Sequence, residues 1–128
     1  MKFIVEENRI TSTFHYGELS ISPDDSQGYR PFELFVSSLA GCSGMLLRSI
    51  LVNKRLPFEK IETVISAERN PSLANKIEQL SITAHVMTAA PYSTNEEEKI
   101  AQLVIKNCGM IQSVIHSIDL TFKVISSK

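Results

Sequence analysis

The chain has 128 residues, 43% of them apolar and 21% charged, a length and composition that fit one globular domain with a core of its own. Thirteen basic residues against fourteen acidic ones leave a net charge of -1, which argues against the basic footprint of a nucleic-acid-binding protein. The start, Met1-Lys2-Phe3-Ile4-Val5-Glu6-Glu7, turns acidic before a signal-like apolar stretch forms, and no run of about eighteen uncharged apolar residues follows. A cytoplasmic protein without a membrane span is expected. In that reducing compartment a cysteine pair is more often catalytic or redox-sensing than structural.

Short strands are predicted over Phe3–Glu6, Ile10–Tyr16 and Gly17–Ser22, followed by a polar loop from Ser22 to Gly28. Pro31 suits the first position of a helix running to about Asn53, because it has no N–H to orphan. Phe35, Leu39, Cys42, Leu46 and Ile50 recur at spacings of three and four, an apolar stripe on that helix. Ser37, Ser38, Ala40, Gly41, Ser43 and Gly44 flank the stripe, and such small residues admit close packing around Cys42.

Pro57 closes the helix, and Ile61 to Glu68 alternate as a half-exposed strand. After a turn at Asn70-Pro71, Leu80, Ile82, Ala84 and Val86 define one face of a further strand. Thr94 to Glu97 has the capping-box pattern and opens a helix whose first turn carries Glu96, Glu97 and Glu98, a run read as solvated. A break near Asn107-Cys108-Gly109 leads to a second short helix, and Ile118, Leu120, Phe122 and Val124 alternate as the closing strand. The expected class is α+β, a single domain over residues 1–128: N-terminal antiparallel strands, long central helix, two further strands, helix pair, closing strand.

No glycine-rich phosphate loop is present, and no cofactor is expected. Gly41-Cys42-Ser43-Gly44-Met45 lacks the final glycine of a nucleophile elbow and lies within a helix. There is no Cys-x-x-Cys and no histidine pair at ligand spacing, so no metal site is expected. His15, His85 and His116 read as solvated or structural residues.

Pro31-Phe32-Glu33-Leu34-Phe35-Val36-Ser37-Ser38-Leu39-Ala40-Gly41-Cys42-Ser43-Gly44 resembles the first cysteine motif of the OsmC-like family. Asn107-Cys108, opening a short helix, matches the position of that family's second cysteine, and the order of elements agrees along the chain. The resemblance implies an intertwined homodimer with the long helices at its centre. It also implies that Cys42 attacks organic hydroperoxides, that Cys108 resolves the product, and that an external thiol or dithiol recycles the pair. Glu33 stands one residue after the place of the catalytic glutamate in the organic-hydroperoxide-resistance branch, where this chain has Phe32. The arginine loop of that branch has no counterpart, although Arg9 and Arg30 are available, and Gly109 replaces the proline that commonly follows the second cysteine.

Only a thiolate attacks a peroxide, so a reactive cysteine needs a cation or a helix N-terminus to lower its pKa. On the sequence, Cys108 has the helix start and Cys42 needs a cation from elsewhere. Two functions follow: a thiol peroxidase using Cys42, Cys108 and Glu33, or a non-enzymatic dimer that senses oxidation or binds a small apolar ligand.

Overall fold

The computed structural model describes all residues from Met1 to Lys128, which gather into two compact units, Met1–Ser38 and Leu39–Lys128. In the first, β1 (Ile4–Val5), β2 (Ile10–Thr13) and β3 (Glu18–Ile21) form an antiparallel meander. These strands are shorter than the alternation suggests. The Phe14 N–H donates to the Gly17 carbonyl at 3.0 Å, so His15 and Tyr16 form the hairpin loop instead of extending the strands.

The loop after β3 folds back onto it. The Tyr29 N–H donates to the Ser20 carbonyl at 2.8 Å, and the Ser22 N–H to the Tyr29 carbonyl at 3.0 Å. A Cβ on Gly28 would stand 2.6 Å from the Ser20 carbonyl oxygen, a backbone atom that cannot swing aside. Gly28→Ala is accordingly expected to destabilise the β2–β3 pairing by about 1–3 kcal/mol, read as faster amide hydrogen exchange in those strands.

Helix α1 (Pro31–Asn53) has the bounds read from the sequence, but Pro57 does not stop it. The chain leaves the helix at Arg55, whose φ is 57°: the Leu56 N–H reaches the Leu51 carbonyl at 2.9 Å, and the Arg55 N–H reaches that of Val52 at 3.0 Å. This is the paired bond pattern of a Schellman motif. The buried stripe is also rotated from the expected one. Leu39, Ser43, Leu47 and Leu51 are buried, whereas Phe35, Cys42, Leu46 and Ile50 are only half-buried. Both stripes are apolar, so periodicity alone did not separate them. Between Leu34 and Leu51 the helix carries one charge, Arg48, and by length and composition α1 is apolar enough to cross a membrane. Arg48 still interrupts the uncharged run at fourteen residues, Leu34 to Leu47. Burial of the Leu39–Leu51 stripe marks the helix as part of the core.

In the second unit, β4 (Lys60–Asn70) and β5 (Lys76–Met87) form a long antiparallel hairpin around a single 3-10 turn. β6 (Asp119–Ser127) joins β5 in parallel, giving the order β4-β5-β6. A parallel neighbour requires a crossover, and α2 (Thr94–Asn107) with α3 (Gly109–Val114) supplies it. Leu80, Ile82, Ala84 and Val86 of the central strand are fully buried, as are Ile100 and Val104 of α2 and Ile111 of α3.

The cap of α2 is Ser93, whose Oγ accepts the Glu96 N–H at 3.1 Å, one residue earlier than the sequence pattern suggests. The acidic run is not simply solvated. Glu96 pairs with Lys54 at 2.7 Å, and Glu97 accepts both the backbone N–H and the hydroxyl of Ser126 on β6, fastening α2 to the sheet.

Candidate functional site

Cys108 sits at the joint of two helices. Its N–H donates to the Val104 carbonyl at 2.9 Å, ending α2, while its carbonyl accepts the Gln112 N–H at 2.9 Å, beginning α3. Its backbone is extended there, with φ -81° and ψ 111°. The kink carries the cysteine side chain into the core, where it is 1% exposed. Cys42 lies mid-way along α1 and is half-buried. The Cys108 thiol donates to the Cys42 sulfur with the two Sγ atoms 3.2 Å apart. Both cysteines are free, and a disulfide would need the sulfurs to close by only about 1.1 Å.

The two thiols are electrostatically unlike. The Cys42 pKa is lowered, first by the backbone N–H of Met110, then by the Cys108 thiol, with a further bond from the Gly109 N–H. The Cys108 pKa is raised, first by burial, and also by its hydrogen bond to Cys42 and the charge on that sulfur. The opening of α3 does act on Cys108, through the N–H groups of Ile111 and Met110, but burial outweighs it; the same opening also serves Cys42 across the gap, where backbone N–H groups take the part given to a cation. Gly109 and Met110 were missed as functional positions, although the break at Asn107-Cys108-Gly109 marked the place. Alkylation of Cys42 by iodoacetamide is expected to reach half its maximal rate below the ordinary thiol pKa of about 8.5. Cys108 should stay unlabelled until the protein unfolds, and peptide mass mapping across a pH series reads both.

Glu33 lies in the first unit. It is exposed in the first turn of α1, bordering a shallow cavity with Glu18, Ser20, Asp25 and Tyr29. Glu33 precedes Cys42 by nine positions along α1. Arg9 pairs with Glu6 at 3.5 Å and Arg30 with Asp25 at 2.7 Å, both in the first unit. His15, His85 and His116 are all exposed, and His85 lies opposite Glu62 in the β4–β5 ladder. No group of three or more metal-ligating side chains occurs.

A family model described as OsmC-like protein matches residues 23–123. The chain belongs to the OsmC-like family. That span covers both cysteines, Glu33, Gly109 and Met110. No curated protein matches the chain. Among solved structures, a hypothetical protein from Aquifex aeolicus VF5 aligns over 99% of this chain and 96% of its own, at 20% identity and a TM-score of 0.83. An OsmC-like protein from Mycoplasma pneumoniae aligns over 98% and 93%, at 14% identity and a TM-score of 0.80. The organic hydroperoxide resistance protein OhrB of Bacillus subtilis aligns over 96% of both chains, at 17% identity and a TM-score of 0.63. At these identities the likeness is one of fold, and it gives this OsmC-like chain the α+β architecture of that group.

Proposed function

We propose that this OsmC-like protein is a thiol peroxidase: Cys42 reduces organic hydroperoxides, Cys108 resolves the oxidised sulfur, and an external thiol or dithiol restores the pair. Membership of a family with organic hydroperoxide resistance proteins among its structural neighbours supports a redox or peroxide-related role. The observation that carries the finer reading is the 3.2 Å sulfur pair with unequal acidities. The thiol with the lowered pKa is also the more accessible one, as a nucleophile requires, and the thiol with the raised pKa is buried behind it. Met45, one helical turn beyond Cys42, and Met110 are 65% and 41% exposed. Cys42 thus opens beside apolar, polarisable side chains that suit an alkyl or aryl hydroperoxide. The same reading takes residues 1–128 as one OsmC-like domain working in the reducing cytoplasm. Its test is hydroperoxide consumption by the purified protein with a dithiol reductant, compared with Cys42→Ser.

The working unit in this reading is a homodimer. Val52 stands exposed on α1, and Leu46 and Ile50 are only half-covered, so an apolar helix has part of its surface unburied by its own chain. An apolar face of that kind is what a second copy covers in an obligate interface. Glu33, read from its motif as the third residue of the centre, is tested in the same hydroperoxide assay by Glu33→Gln. Light scattering at micromolar concentration is expected to give about twice the 14.3 kDa chain mass; a well-folded monomer would remove the dimer.

A further inference from the structure

The two sulfurs lie 3.2 Å apart, yet they are not equally open. Cys108 is 1% exposed where α2 meets α3, whereas Cys42 is half-buried. We propose that the external thiol that reopens the Cys42–Cys108 disulfide attacks at Cys42, so that the mixed disulfide forms on Cys42 and Cys108 is the leaving sulfur. The proposal rests on the disulfide of the peroxidase reading and names where its reductant enters.

The atoms balance in two exchanges. The reductant's thiolate bonds to the Cys42 sulfur, the bond between Cys42 and Cys108 breaks, and its electron pair leaves on Cys108. Cys108 then takes up a proton, which matches the one the reductant lost when it ionised. A second thiolate attacks the reductant's own sulfur in the mixed disulfide and releases Cys42 as a thiolate, in equilibrium with its thiol. One protein disulfide and two thiols yield one protein dithiol and one disulfide of the reductant.

Two effects oppose each other at this step. Exchange is faster when the departing thiol is the more acidic one. That preference favours attack on Cys108, because Cys42 has the lowered pKa and Cys108 the raised one. Access favours Cys42. Displacement at sulfur is in line, so an attacker reaches Cys108 only from the side away from Cys42, and at 1% exposure that side is covered by protein. Val104 and Ile111, which flank Cys108 along the helix pair, are themselves fully buried. Burial is the strongest influence on the Cys108 thiol, whereas at Cys42 two hydrogen bonds outweigh it. Closing the bond moves the sulfurs by only about 1.1 Å, so the same sulfur stays covered in the oxidised protein. Access decides, because leaving-group strength scales the rate of an encounter that must first occur.

The experiment oxidises wild-type protein with diamide, which makes the disulfide without a hydroperoxide, and then adds excess glutathione for short times. Samples are acid-quenched, unfolded, alkylated with N-ethylmaleimide at mildly acid pH and mapped by mass spectrometry. Glutathione on Cys42 with N-ethylmaleimide on Cys108 is expected to exceed the reverse pattern by about tenfold or more. In denaturing urea, where both sulfurs are open and their acidities converge, the two patterns are expected to agree within about threefold. Comparable glutathione on Cys108 in the folded protein overturns the proposal, as does a disulfide that glutathione opens only in urea. A Cys42 preference that survives unfolding overturns it too, since the selectivity would then lie outside the fold. If diamide forms no Cys42–Cys108 disulfide, the proposal falls with the pairing. A protein that shows the Cys42 adduct but consumes no hydroperoxide keeps this entry site and loses the peroxidase reading.

Discussion

Cys42→Ser is expected to bring hydroperoxide consumption down to that of the reductant alone, a loss on the order of a thousandfold or more. A serine hydroxyl is almost wholly protonated at neutral pH and is a much weaker nucleophile than a thiolate. The N–H groups of Met110 and Gly109 lower the Cys42 pKa, but they cannot bring an alcohol into the same range. Cys108→Ser differs in kind. The first turnover should persist within several-fold, since oxygen transfer needs only the Cys42 thiolate, whereas recycling through the internal disulfide is lost. Single-turnover and steady-state assays on the two variants separate these effects. Wild-type consumption no faster than Cys42→Ser would mean that the cysteine pair is not a peroxidase centre.

The largest expected effect on stability lies one helical face away. Leu47 is 0% exposed and belongs to the Leu39–Ser43–Leu47–Leu51 stripe, so Leu47→Ala should lower unfolding stability by about 2–5 kcal/mol, read from a urea titration. The variant leaves a cavity in addition to losing transfer energy. Leu46→Ala, at a half-buried neighbour, should cost less. A larger loss at Leu46 would point to its burial by a second copy rather than by its own chain.

That difference shows where sequence reasoning reached its end. The alternation of Leu80, Ile82, Ala84 and Val86 against polar neighbours fixes the buried face of β5, because a period of two leaves no second solution. The break at Asn107-Cys108-Gly109 likewise places the joint between α2 and α3 correctly. On α1 the pattern is ambiguous, since a helix apolar nearly all round fits more than one buried stripe. The reach of backbone donors was illegible for a different reason. Every residue has an N–H, so nothing in the letters Gly109 and Met110 announces that theirs face a sulfur on another helix. Glu33 was drawn in by its place in a motif.

Cys42 and Cys108 lie 66 positions apart in the chain. Joining two residues across a loop of that length removes roughly 4 kcal/mol of conformational entropy from a disordered polypeptide. In the native protein that loss has already been met by folding, since α1 and the α2–α3 joint hold the ends in contact whether or not they are bonded. Around a thermodynamic cycle the two facts become one. The folded dithiol is easier to oxidise than the same thiols in an unfolded chain by about the margin that the closed bond adds against unfolding. The effective concentration of one thiol about the other is therefore a property of the whole domain, and a mutation that loosens α1 far from either sulfur weakens the pair as an electron donor.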